Sequence, residues 1–345
     1  MFEPKFSYTN EIVRNLTLIA EARAIILNVP LIPKWEVSLR REALIKSAHY
    51  STSIEGNPLS FEDVIALAEG KDIMVRRKDK QEVLNYIEAL EKVPEFAKKI
   101  PLIDKDLLEI HKIVSKETLE NPKDEGVFRN RQVAVGNKFT GEIVFMPPPT
   151  ESVPRLVNEF LEWFNSEEAN KVDPVIGAGI THYEIARIHP FIDGNGRMAR
   201  VMASLVLYKR GFDIKRFFAL DDYYDRDRRS YYEALKSVDQ ETLDLTAWLE
   251  YFTNGVAVST KEVRDKVIGL SRDIKFLKNR GQVALTKRQM KIVEKLIQND
   301  RIAIGDIASE FEISRQAALK EMNKLLDLGV VRLEGAGRGA HYVLA

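Results

Sequence analysis

The chain has 345 residues, 45% hydrophobic and 30% charged, the balance of a globular protein long enough for two or three domains. Lys plus Arg equals Asp plus Glu at 52 each, so any polyanion contact must come from local charge. Cysteine is absent, which excludes disulfides, thiolate nucleophiles and Cys-ligated metal centres.

Residues 1–10 lack the basic-then-apolar layout of a signal peptide. The longest apolar run, 201–208, is far too short to span a bilayer, so a cytoplasmic location without membrane contact is expected. Most of the chain reads as helix. Behind Pro33, apolar residues recur at three- and four-residue spacing over 37–50. Ser60 ahead of Phe61-Glu62-Asp63 predicts an N-cap with acidic residues in the first turn. Amphipathic runs follow at 80–97 and 104–114. The texture then changes. Gln132–Val135 and Glu142–Phe145 read as two strands around a 136–141 turn, a hairpin closed off by Pro147-Pro148-Pro149. Helices return at 153–165 and 174–187.

Beyond Asn254, Val263, Val267, Leu270, Ile274 and Leu277 step by four and three along a helix that is locally basic, with nine basic and three acidic residues over 261–288. A short coiled-coil seam and a helix packed on its own domain both fit this stretch. The last sixty residues predict helices at 287–298, 304–311 and 315–328, the third capped by Ser314. Two strands follow, 330–333 and 341–344, around a glycine-rich loop. That order is a winged helix-turn-helix.

Chemistry concentrates in Ile188–Arg200, which reads IHPFIDGNGRMAR. Gly194, Asn195 and Gly196 form a tight loop that opens directly into an apolar helix. Such a loop aims backbone N–H groups and the positive end of the helix dipole at one point, which suits a phosphate. Arg197 and Arg200 are three apart and share a helix face, so a polyphosphate is a better fit than a single phosphate. Asp193 is an oxygen ligand placed to hold Mg²⁺ bridging phosphate oxygens. His189, mostly neutral at pH 7, can accept a proton from an attacking hydroxyl. His49, His111 and His182 have no metal-ligand spacing and read as ordinary helix residues.

The segment resembles the Fic family, whose motif is H-P-F-x-(D/E)-G-N-G-R-x-x-R, and all nine specified positions are met between His189 and Arg200. The resemblance implies transfer of AMP from ATP to a Tyr, Ser or Thr hydroxyl of a target protein, and of the chain itself. On it His189 would be the base, Asp193 the Mg²⁺ ligand, Gly194, Asn195, Gly196 and Arg197 the α- and β-phosphate cradle, and Arg200 the γ-phosphate contact. The hairpin looks like the Fic flap, with Val135 and Gly136 beside the nucleotide and an exposed edge for a target segment. Tyr231 and Tyr232 resemble an aromatic pair bordering adenine, and Asp239 would be a further adenosine contact along the same helix.

Ser51-Thr52-Ser53-Ile54-Glu55-Gly56 matches the Fic inhibitory pattern (S/T)-x-x-x-E-(G/N). Glu55 brought to Arg200 would occupy the γ-phosphate's place, with Ser51 on the same helix face. The same Glu55 could orient a water for removal of AMP, as in some family members. In the winged helix, Arg315 and Gln316 would open the recognition helix and Arg338 would reach from the wing. Ten basic and eight acidic residues over 286–345 leave DNA binding, protein docking and dimerisation open. A DNA-binding regulator with a nucleotide-sensing core is the alternative to an enzyme.

The expected architecture is mainly α: a Fic-type helical bundle with a hairpin flap and a C-terminal winged helix. Expected domains are 1–100, carrying the inhibitory helix, a catalytic core at 101–255, a connecting helix at 256–285, and the winged helix at 286–345.

Overall fold

The computed structural model describes residues 2–29, 31, 33–136, 143–212, 214–277, 286–299, 301–335 and 337–344. They form two compact units: Met1–Leu27 with Glu42–Arg264, and Asn28–Arg41 with Asp265–Ala345. The boundaries expected at 100 and 255 both lie inside the first unit.

The order begins with α1 (Asn10–Asn28), α2 (Pro33–Ile54), α3 (Phe61–Ala68), α4 (Arg77–Phe96) and α5 (Asp104–Ser115). The sequence reading passed over α1, yet Ile12, Asn15, Ile19, Ala22 and Ile26 step by three and four along its buried face. Ser60 caps α3 through a capping box with Asp63, as its residue types predict. Strands β1 (Val135–Gly136) and β2 (Ile143–Phe145) pair antiparallel, Val135 with Phe145 and Gly136 with Ile143, with a register irregularity between Val135 and Gly136. They are shorter than the strands expected at 132–135 and 142–145. Gln132 donates from its side chain to the Pro147 carbonyl at 3.0 Å, and residues 132–134 take no ladder position. The expected turn residues 137–141 and Glu142 lie outside the described residues.

After the hairpin come α6 (Val153–Phe164), α7 (Glu167–Lys171), α8 (Pro174–Ile188), α9 (Asn195–Lys209), α10 (Leu220–Arg226) and α11 (Arg228–Lys236). Asp173 caps α8, accepting from Val175 N–H at 2.8 Å, with Pro174 in its first turn. From Val175 to Ile185 every residue of α8 is buried, which is why the helix is apolar on nearly all sides. It packs chiefly on α9, and α4, α5 and α6 close around this pair. Helix α12 (Thr246–Leu277) lies against it too, Trp248 donating to the Gly179 carbonyl at 2.8 Å.

The second unit holds α13 (Lys287–Asn299), α14 (Ile304–Glu310), α15 (Arg315–Asp327), β3 (Val331–Glu334) and β4 (His341–Leu344). Helix α15 is capped by Ser314, which accepts from Ala317 N–H at 3.1 Å. Strands β3 and β4 pair in regular register from Val331 with Leu344 to Glu334 with His341, and Ile302 bridges to Tyr342. The core joins Ile292, Val293, Leu296, Ile307, Ala318, Met322, Leu325, Val331 and Tyr342, with Val37 of α2 among them. The tip residue 336, the Arg338 side chain, the side chains of Ile274 and Leu277, and residues 278–285 lie outside the described set.

Candidate active site

Helix α8 ends on His189, whose backbone is left-handed (φ 52°, ψ 56°). That conformation is uncommon for a residue with a Cβ and is tolerated where the surroundings over-determine it. Here they do. Arg129, itself buried, donates from Nε to the His189 carbonyl and from its backbone N–H to the Pro190 carbonyl, both at 2.9 Å. Its other guanidinium nitrogens donate to the Pro148 carbonyl and to Thr150 Oγ1, at the end of the hairpin.

The His189 ring has an assigned proton. Nδ1 lies 3.1 Å from the Ala186 carbonyl, which only accepts, so Nδ1 is the donor and Nε2 is left bare as an acceptor. Burial pushes its pKa below the ordinary 6.5, opposed by the bond to Ala186. The ring is therefore neutral at pH 7.

The loop to α9 is closed by Asn195, whose Oδ1 accepts from Phe191 N–H and whose Nδ2 donates to the Phe191 carbonyl, both at 2.9 Å. The Asn195 side chain is thus committed to the loop, and what it offers a phosphate is its backbone. Gly194 takes φ 80° as the N-cap of α9. Asp193 has a side chain that is 55% exposed and stands 3.9 Å from Arg197 Nη2. Arg197 is buried, and its Nε and Nη1 have no hydrogen-bond partner among the described residues.

Arg200 is also buried and is fully engaged on one side. Nε donates to Ser51 Oγ at 2.6 Å, and Nη2 donates to the Ser51 carbonyl at 2.9 Å and to Glu55 Oε1 at 2.8 Å. A second carboxylate, Asp221, stands 3.4 Å from Nε and accepts from Tyr86 O–H at 3.1 Å. Burial works against the Arg200 charge, but Glu55, Tyr231, Tyr86 and Asp221 offset it and hold the guanidinium firmly protonated. Burial likewise pushes the Asp221 carboxyl up while Arg200 pulls it back. Helix α2 stops at Ile54, so Glu55 is not on the helix with Ser51 but in the turn that Gly56 (φ 92°) completes. There its carboxylate covers the start of α9. A Cβ on Gly196 would overlap it.

Residues 101–207 match the Fic/DOC family. The chain carries a Fic domain. Two fly proteins named Protein adenylyltransferase Fic, from Drosophila grimshawi and Drosophila melanogaster, are 29% and 28% identical over 225 residues. The alignments cover 61% of this chain and 44% and 43% of those proteins, so the chain spans less than half the length of the curated relatives it matches. In structure it resembles a Fic family protein from Desulfovibrio desulfuricans with a TM-score of 0.66 at 23% identity, covering 100% of this chain and 98% of that one. It also resembles a Fic domain containing signalling protein from Bacteroides thetaiotaomicron, with a TM-score of 0.60 at 22% identity, over 76% of this chain and 98% of that one.

Around the Fic domain's central loop the other expected residues divide. Val135 and Gly136 lie in β1, half-buried and exposed. Tyr232 is 38% exposed, but Tyr231 is buried, stacked on Tyr224, with its hydroxyl 2.8 Å from His182 Nε2. The two tyrosines are therefore not an equivalent pair. Asp239 is not on α11, which ends at Lys236. Its Oδ1 accepts from Glu241 and Thr242 N–H, bonds that hold its carboxyl below the usual range. Those turn bonds account for an Asp at this position.

Sequence reasoning missed Arg129, Asp221 and His111. Each meets the motif from far along the chain, and none lies in a recognisable pattern of its own. Among the described residues no group of three or more His, Asp or Glu could hold a metal by itself. A single accessible carboxylate still fits Mg²⁺, which commonly takes one or two protein carboxylates and completes its shell with phosphates and water.

Proposed function

We propose that the chain is a protein adenylyltransferase, transferring AMP from ATP to a Tyr, Ser or Thr hydroxyl of a target protein or of itself, and restrained by Glu55 on Arg200. The observation that carries the reading is Glu55 on Arg200: a carboxylate seated 2.8 Å from a buried guanidinium, against Gly196, marks the start of α9 as an anion site. With Arg197 one turn before Arg200, the arrangement suits a triphosphate better than phosphocholine or a single phosphate.

On this reading the hydroxyl oxygen attacks the α-phosphorus and the hydroxyl proton passes to the bare His189 Nε2. A new O–P bond forms, the α–β bridging P–O bond breaks, and pyrophosphate leaves. Backbone N–H groups of Gly194, Asn195 and Gly196 with Arg197 take the growing charge on the phosphates. Asp193 would hold Mg²⁺, which when bound neutralises phosphate charge. The edge of β1 and β2 would align the target segment.

Glu55 restrains the reaction by taking the Arg200 donor that a γ-phosphate needs. Holding such a switch 99% closed requires only about 2.7 kcal/mol. The Glu55 side chain is 31% exposed, so solvent screening discounts the pair below a fully buried one. Asp221 stays with Arg200 when Glu55 leaves, so release does not strand a lone buried charge.

The test is the intact mass of wild type, Glu55→Gly and Glu55→Gly/His189→Ala after incubation with Mg²⁺ and ATP. One added AMP in Glu55→Gly that disappears without His189 is the expected result. Equal adducts in wild type and Glu55→Gly would remove the brake, and no adduct with self or added protein substrates would remove the transferase.

A second reading concerns the C-terminal unit. Its element order is that of a winged helix, and α15 turns Arg315, Gln316, Lys320 and Asn323 outward. We propose that this face enters a DNA major groove. Fluorescence anisotropy on duplex DNA should show affinity that falls steeply with salt and weakens in Arg315→Ala. Binding insensitive to both would assign the face to a protein partner.

A further inference from the structure

We infer that His111 is a positioning residue of the catalytic loop, acting as the keystone that fixes the Asp193 carbonyl and with it the backbone of the phosphate cradle. The inference deepens the transferase reading and depends on it only for the activity readout below.

His111 lies on α5 and is completely buried. Its ring is stacked face to face on Phe191, with centroids 3.7 Å apart and an interplanar angle of 0°. Both nitrogens are engaged. Gly126 N–H points at Nδ1 at 3.0 Å, and because a backbone N–H can only donate, Nδ1 must be the acceptor. The proton of the neutral ring is then on Nε2, which donates to the Asp193 carbonyl at 3.0 Å. One side chain thus fixes three things at once: the Phe191 ring, the peptide joining Asp193 to Gly194, and the loop that arrives at Gly126.

The Gly126 end is equally constrained. Gly126 has φ 68°, and a Cβ there would stand 2.9 Å from Lys112 Cβ and 3.0 Å from the Leu108 carbonyl on α5 itself. Only a glycine brings its N–H this close to the ring in that conformation. At the other end, Nε2 is 3.5 Å from where a Gly194 Cβ would be, so the ring abuts the cradle's first glycine. The Asp193–Gly194 peptide plane orients the Gly194 N–H, which donates to Asp193 Oδ1. A ring that holds its carbonyl therefore fixes this N–H and, through it, the Asp193 carboxylate at the entrance of the cradle. A merely structural histidine would fill the space over Phe191 without needing a particular tautomer.

The test uses the full chain and three variants. His111→Gln keeps a donor near the Nε2 position, His111→Asn keeps an acceptor near Nδ1 but not that donor, and His111→Phe keeps only the stacking. Amide hydrogen exchange over 190–197 is measured first, with thermal unfolding as a control. The expected result is faster exchange at Gly194 and Gly196 in the Asn and Phe variants, protection close to wild type in Gln, and little difference in midpoint. This readout is independent of whether AMP is transferred. In a Glu55→Gly background, transfer should then fall about 10–100-fold in Asn and Phe and recover to within about threefold in Gln. Loop exchange unchanged in all three variants overturns the inference, and so does equal acceleration in all three, which would assign the effect to ring stacking. Should the variants fail to fold, the imidazole ¹⁵N shifts of His111 in the wild-type protein decide the matter. A protonated Nε2 with a bare Nδ1 supports the keystone, and the opposite tautomer removes it.

Discussion

The catalytic loop and the hairpin flap sit next to each other in the proposed mechanism but are built in opposite ways. Between His189 and Asn195 the loop is tied by Arg129 at the His189 and Pro190 carbonyls, by Asn195 at both polar groups of Phe191, and by His111 at the Asp193 carbonyl. These groups come from three separate stretches of chain and are largely buried. The flap has two paired positions with an irregular register, and its flanking apolar side chains Ile143 and Met146 are 58% and 52% exposed. A site that must hold one nucleotide in one pose gains from the first construction. An edge that must accept another protein's backbone needs unpaired groups and tolerates the second. Arg129 serves both, since it joins the loop's carbonyls to the end of the hairpin.

The comparison can be broken at several points. The largest effect is expected at the base. In a Glu55→Gly background, His189→Ala should lower AMP transfer by about 10²–10⁴, measured as the initial rate of adduct formation. A residual rate within tenfold would mean the proton leaves by another route. Arg129→Lys keeps the charge but not three directions of donation, so transfer should fall about 10–100-fold, with KM for ATP and for target both rising. A rise in only one of them would show that loop and flap are independent.

A smaller effect is expected on the flap alone. Ile143→Ala removes an exposed side chain, so the midpoint of unfolding should stay within about 1–2 °C while KM for a protein target rises a few-fold and KM for ATP does not move. A change in ATP binding would place the flap edge in nucleotide recognition. The smallest effect is on stability. His182 is buried among Tyr224, Tyr231, Trp248 and Phe252, and burial followed by the nearby Arg200 charge holds its pKa well below 6.5. Below about pH 6.5 the unfolded chain binds a proton at this histidine that the folded chain does not, so stability falls as pH drops. His182→Gln should flatten that part of a denaturation profile between pH 7 and 5, and an unaltered slope would assign it to other groups.

On the proposed reading, the restraint at Arg200 is firm without being permanent. Its two carboxylates differ in exposure: Asp221 is buried with Tyr86 bonded to it, whereas Glu55 is one-third exposed in a turn just beyond α2. On that reading the more exposed of the two is the one that leaves. The inhibitory pattern named Glu55 and Ser51, and both meet Arg200. The pattern contained nothing about Asp221, a second carboxylate 3.4 Å from Arg200 Nε.

What the sequence determined by itself was whatever is contiguous. Nine specified positions in His189–Arg200 marked the loop because a glycine turn opening a helix needs its residue types in an unbroken order. The caps Ser60 and Ser314 were legible for the same reason, since a cap and its helix are neighbours. The hairpin was legible only as a region, because strand length depends on pairing across the turn rather than on β-branched residues in a row. His111, Arg129 and Asp221 were decided by tertiary structure alone. Each is an unremarkable residue in its own segment and gains a role when folding brings it to a carbonyl or a guanidinium 82, 60 or 21 positions away. A hydrogen bond is satisfied by distance and direction in space, and one sequence records neither.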